Sequence, residues 1–149
     1  MDEPLDDQVA ELAGALEKLA RRFKLTDAVQ GGRPMAEIDK HILLHVAEHP
    51  GCGPSDVARS FGVPLTTVSS ATDRLAKRGL LQRLRPSTDR RAVELELTAP
   101  GHSHAEALRQ AHHAMFRAML ERLSERERAL FVDLARKMSM NDHRIIRFS

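Results

Sequence analysis

The side chains that could do chemistry in this sequence form three sets. The first is a run of hydroxyls and cations, Thr66, Thr67, Ser69, Ser70, Arg74 and Lys77, followed by Asp89, Arg90 and Arg91. Hydroxyls can bond base edges or phosphates, and guanidinium and ammonium groups neutralise phosphates. The second set is histidine. His41, His45 and His49 recur every four residues, a spacing at which two imidazoles on one helix face can share a metal, and His102, His104, His112 and His113 form a later group. The third is the lone Cys52, just before a candidate helix start that could lower its thiol pKa, or else an inert turn residue. Catalytic signatures are missing: there is no Gly-x-Ser-x-Gly, no phosphate loop and no Rossmann glycine pattern. Asp and Glu are scattered over polar faces. The expectation is a binding protein without a cofactor, not an enzyme.

The elements that must position the first set can be read directly. Gly53-Pro54-Ser55 opens a helix, with Pro54 where a missing N–H costs little, and Val57, Ala58 and Phe61 give it a buried face. Gly62 supplies a left-handed stop, and Val63-Pro64 an extended step. A second helix runs from Leu65 to Arg78 and ends at Gly79. Its buried stripe is Val68, Ala71, Thr72 and Leu75, which leaves the hydroxyls with Asp73, Arg74 and Lys77 outside. Two helices joined by a short glycine turn form a helix-turn-helix, whose second helix can lie in a DNA major groove. Leu81 to Arg85 then reads as a strand, and Val93 to Leu97 alternates with period two as a half-buried partner. The polar turn Pro86 to Arg91 between them makes the hairpin a wing. Thr66 could instead cap its helix, and Arg74 could instead pair with Asp73 or a wing acid.

This stretch resembles the MarR family (multiple antibiotic resistance regulators) of bacterial transcription factors. The resemblance rests on Ser55-Asp56-Val57-Ala58, Thr67-Val68-Ser69, Asp73-Arg74-Leu75, Lys77-Arg78-Gly79-Leu80, Asp89-Arg90-Arg91 and Leu95-Glu96-Leu97-Thr98. Its motifs cover about a third of the chain, and the flanking helices match the family in order and length. It implies a homodimeric repressor on a pseudo-palindromic operator. It also implies a wing in which Arg90 or Arg91 enters the minor groove while Asp89 holds it. A small aromatic or phenolic ligand would weaken DNA binding from a crevice near Phe23, His41, His45 and Met115. The alternatives within the fold are a zinc-responsive or redox-responsive regulator, or a constitutive DNA binder. Zinc-sensing relatives use a His on the second helix and a His-x-x-x-His on the long helix. Here His41 and His112 match, but Leu108 takes the remaining position. Redox-sensing relatives carry their cysteine in the first helix, where this chain has none. Family members often have Arg where this chain has Ser70, so the base code does not transfer.

The flanks are helical. Leu5, Val9, Leu12, Leu16, Leu19 and Phe23 make one apolar face of a helix from Leu5 to Lys24. Gln30 to Pro34 breaks the chain before a helix from Ala36 to His49 with Ile38, Ile42, Leu43 and Val46 inward. Thr98 can cap a long helix bearing Ala105, Leu108, Ala111, Met115, Met119 and Leu123 on one stripe. Ser124 and Glu127 have capping-box spacing and start a last helix with Leu130, Phe131, Leu134 and Met138 inward. The expected architecture is mainly α: one domain over 1–149, with a winged helix-turn-helix at 36–98 and dimerisation helices at 5–30 and 99–140. Leu12, Leu16, Leu19, Leu130 and Leu134 would form the dimer contact. The first helix could equally pack on the chain's own C-terminal helices.

Composition agrees with this class. The 149 residues carry a net charge of only +2, yet residues 55–91 hold eight basic side chains against three acidic, a local +5. That clustering is the electrostatic footprint of a nucleic-acid face. At 42% hydrophobic and 3% aromatic, with no Trp or Tyr, the core must be filled by leucine and methionine. No apolar run approaches the roughly 20 residues that cross a bilayer, Met1 to Pro4 lacks a signal-peptide pattern, and one cysteine allows no intrachain disulfide. The expectation is a cytoplasmic protein, on the nucleoid when bound to duplex DNA, with no membrane partner.

Overall fold

A computed structural model describes residues 3–23, 34–86 and 92–140. In order they form α1 (Glu3–Phe23), α2 (Glu37–Glu48), α3 (Pro54–Phe61), α4 (Leu65–Lys77), β1 (Leu81–Leu84), β2 (Glu94–Leu97), α5 (Ala99–Leu120) and α6 (Glu125–Ser139). The chain divides into two compact units, Met1–His112 and His113–Ser149.

In the first unit, α2, α3, α4, the hairpin and the start of α5 share one core. Ile42, Leu43, Val57, Val68, Ala71, Leu75 and Leu95 are wholly buried, with Val46, Leu81, Leu97, Ala105 and Leu108 beside them. The stripe Val68, Ala71, Thr72 and Leu75 is the buried face of α4, as its spacing predicts. Gly62 (φ +65°) and Gly79 (φ +73°) are both left-handed, so each helix stops where a side chain would be strained. β1 and β2 pair antiparallel, with Leu81 opposite Leu97 and Arg83 opposite Leu95. The far edge of β2 is also bonded. Leu95 N–H donates to the Cys52 carbonyl at 2.8 Å, and Gly51 N–H donates to the Leu95 carbonyl at 3.0 Å. The hairpin is thereby tied to the turn that precedes α3.

α5 starts as the sequence predicts. Thr98 Oγ1 accepts the Gly101 N–H at 3.1 Å and donates to the Gly79 carbonyl at 2.5 Å. None of the α1 side chains described is buried, and Leu5, Val9, Leu12 and Leu16 are each more than half exposed.

The second unit holds the end of α5 and all of α6. Its turn closes with the capping box: Glu127 N–H donates to Ser124 Oγ at 3.2 Å, and Ser124 N–H to Glu127 Oε1 at 2.8 Å. Accepting that backbone N–H holds the Glu127 carboxyl below its usual range. One expectation needs correction. Leu130, Phe131, Leu134 and Met138 do not point into a core of this chain; all four are exposed. Their spacing identifies the apolar side of a helix but carries no information about what covers it. No helix among the described residues is long and apolar enough to cross a membrane.

Candidate nucleic-acid interface

The outer surface of α4 is built by its inner one. Once Val68, Ala71, Thr72 and Leu75 face the core, Thr66, Ser69 and Ser70 are exposed and Thr67 half-buried, all in the first two turns. Pro64 is the N-cap residue, and no side chain caps the helix. The cap role considered for Thr66 therefore does not apply, and its hydroxyl stands on the outer face. Such a surface presents small donors and acceptors at the end of the helix that enters a groove first.

The charged residues of α4 are arranged less simply. Arg74 makes a two-pronged bond with Asp39 of α2, Nε to Oδ2 at 2.9 Å and Nη2 to Oδ1 at 2.7 Å. The Asp39 side chain is 4% exposed and that of Arg74 48%, so the guanidinium leaves the surface to meet a buried carboxylate. Among the described residues its partner is Asp39, not Asp73. The sequence reading also assigned no role to Asp39 or Arg83. Helical spacing does place Asp39 on the inner face, three, four and seven residues before the buried Ile42, Leu43 and Val46. Lys77 is exposed, and Arg78 stands near enough to His104 that burial and this cation together lower the His104 pKa. Asp89, Arg90 and Arg91 lie outside the described residues.

The Asp39–Arg74 pair supports an asymmetric expectation. Asp39→Ala leaves a half-exposed guanidinium that water can solvate, and should cost about 1–2 kcal/mol. Arg74→Ala strands a carboxylate inside the lobe and should lower the melting temperature further. Thermal unfolding followed by circular dichroism at pH 7 compares them. Equal shifts would mean that the carboxylate finds another donor.

The remaining candidates lie on α1, α2, α5 and the turn before α3. His41 is exposed. His45 is half-buried, stacks on His49 with centroids 4.4 Å apart and meets the Phe61 ring edge-on at 5.2 Å. Burial first, then His49, push its pKa below the ordinary range. Phe23 and His112 are half-buried in the first unit, and Met115 half-buried in the second. Among the described residues no three His, Cys, Asp or Glu side chains gather into a metal site. Cys52 is half-buried. Burial and then Asp56 raise its thiol pKa, outweighing the bond to its own backbone. A thiol shifted this way is a poor nucleophile at neutral pH.

Comparison with known proteins agrees with this geometry. Residues 35–92 match the family model of the MarR family. The chain is 26% identical over 131 residues to the HTH-type transcriptional repressor YetL of Bacillus subtilis, covering 82% of this chain and 78% of that one. Its fold is that of Streptococcus pneumoniae FabT, solved in complex with DNA, with a TM-score of 0.71 at 21% identity over 93% and 94% of the two chains. It is also similar to the PcaV transcriptional regulator of Streptomyces coelicolor, solved with its natural ligand, with a TM-score of 0.65 at 25% identity over 84% and 89%.

Proposed function

We propose that this chain is a DNA-binding transcriptional regulator of the MarR family, acting as a homodimeric repressor on a pseudo-palindromic operator and released by a small aromatic or phenolic ligand. The observation that carries the proposal is the exposed hydroxyl face of α4, Thr66, Ser69 and Ser70, set on a fully packed lobe inside a basic segment. Thr67, Lys77 and the outward edge of Arg74 extend that surface. Two-fold dimers place such helices about 34–36 Å apart, so the operator should contain two related half-sites. The apolar faces left open on α1 and α6 supply the candidate dimer surface. YetL, named as a repressor, supports the direction of regulation.

Release requires a ligand that binds one arrangement of the half-site readers better than another. The likeness to PcaV, solved with its natural ligand, supports an organic effector. Phe23, His41 and His45 are the candidate contacts within the first unit. A zinc-responsive reading would have to start from His41 and His112. Titrating DNA-bound protein with aromatic acids, zinc and a chelator separates the two. Zinc-dependent binding abolished by His41→Ala would overturn the organic ligand.

The operator itself comes from selecting bound sites out of random duplexes. On the selected site, Arg90→Ala or Arg91→Ala should cost about 1–3 kcal/mol, as expected for a specific groove contact. Lys77→Ala should weaken every duplex alike and reduce the salt slope by about one. If both wing variants bind as tightly as the parent, neither arginine enters the groove.

A further inference from the structure

We propose that Arg83, at the base of the wing, is a positioning residue that fixes α4 for sequence discrimination and masks the carboxylate on its outer face. The inference rests on the DNA-binding reading and adds a residue to it. One terminal nitrogen of Arg83, Nη2, donates to Asp73 Oδ1 at 2.6 Å and to Thr72 Oγ1 at 2.7 Å, and lies 3.4 Å from the Ser69 carbonyl. All three acceptors belong to α4, and together they span one turn of it. Arg83 is itself anchored, because its β1 position pairs with Leu95, a wholly buried residue of β2. The wing strand therefore reaches across to α4 through this guanidinium.

Two consequences follow from this placement. Thr72 is wholly buried, and its hydroxyl donates to the Ser69 carbonyl at 3.0 Å while accepting from Arg83. The bond to Ser69 stays within α4, so rotation of α4 about its axis would break the bond to Arg83, the one that crosses to the wing. Ser69 and Ser70, the exposed hydroxyls of the same turn, are held at one azimuth relative to the wing. The second consequence is electrostatic. Asp73 is the carboxylate on the outer face of α4, and its side chain is 57% exposed. Unpaired, it would repel the phosphates that the surrounding cations attract. Paired with Arg83 it presents little net charge, and Arg83 is no longer free to contact phosphate. Arg83 is thus withdrawn from non-specific attraction and used for geometry.

The test is a double-mutant cycle on the full-length protein, using a site selected from random duplex DNA and an unselected duplex of equal length. Arg83→Ala and Asp73→Asn should each lower the ratio of selected-site to unselected affinity about tenfold, within the usual range for coupled pairs. The double variant should discriminate no worse than the weaker single variant. The salt slope of Arg83→Ala should match the parent's, because no phosphate contact is lost. Circular dichroism confirms that the variants fold, and Asp73→Asn keeps the test open should Arg83→Ala fail to. An unchanged ratio in the folded single variants, losses that multiply in the double variant, or a slope reduced by about one would overturn the proposal. A parent chain that binds no duplex at all would instead sink the DNA-binding reading beneath it.

Discussion

Leu12→Asp is expected to turn the proposed dimer into a monomer without unfolding the first unit. Leu12 is 56% exposed on α1, in line with Leu5, Val9 and Leu16, which are exposed to a similar degree. A contiguous apolar stripe of this kind marks an interaction surface more often than a solvated one. In a two-fold dimer each substitution occurs twice. At about 2 kcal/mol per unpartnered polar group, two copies weaken association roughly a thousandfold. The core of the first unit should be indifferent, since no described α1 side chain is buried in it. Ala10→Asp, on the opposite side of the same helix, is the control and should leave the dimer intact. Sedimentation at about ten times the parent's dissociation constant reads the outcome, and binding to a two-half-site operator should fall with dimer content. A monomeric parent, or a Leu12→Asp protein with unchanged association, would refute the assignment of α1.

What was legible in the sequence is what depends on neighbours along the chain. The stripe of α4, the left-handed Gly62 and Gly79, the Thr98 cap and the Ser124–Glu127 box all follow from local spacing, and all are found. So is the hairpin, because alternation in Val93 to Leu97 specifies both a strand and its buried side. The readings that failed or were missed depend on how elements meet. Arg74 and Asp39 are 35 residues apart, and periodicity alone cannot say that the turn of α2 carrying Asp39 faces that part of α4. Arg83 looks like one more cation in a basic segment until the hairpin places it beside Asp73. The apolar side of α6 was identified, but its exposure was not, because a stripe does not name its cover. For Cys52, a helix start suggested a lowered pKa, while burial and Asp56 act in the opposite direction and prevail.

Gly101→Ala should destabilise the protein, although alanine is the better helix former. Gly101 lies inside the first turn of α5 and is buried. On propensity alone, replacing glycine by alanine within a helix gains about 0.5–1 kcal/mol. Here a Cβ would stand 1.9 Å from the Leu80 carbonyl oxygen, 2.9 Å from its carbon and 3.2 Å from Leu97 Cβ. The near atoms are backbone, so no rotamer change relieves the overlap. Nor can the Leu80 carbonyl move freely, because it accepts the Thr98 N–H at 3.1 Å. The Thr98 side chain in turn bridges Gly79 and Gly101, so the end of α4, the end of β2 and the start of α5 are joined at one point. Relief requires shifting α5 off the hairpin, and overpacking of this kind costs about 3 kcal/mol. The expected net loss is about 2 kcal/mol, a large share of a stability that is commonly about 5–15 kcal/mol. Gly14→Ala supplies the contrast. That glycine is helical too, but a Cβ there meets nothing within 4 Å, so the substitution should stabilise by about 0.5–1 kcal/mol. Urea unfolding of both variants at one protein concentration gives two changes of opposite sign. If Gly101→Ala raises the midpoint as Gly14→Ala does, α5 does not approach the Leu80 carbonyl as closely as described.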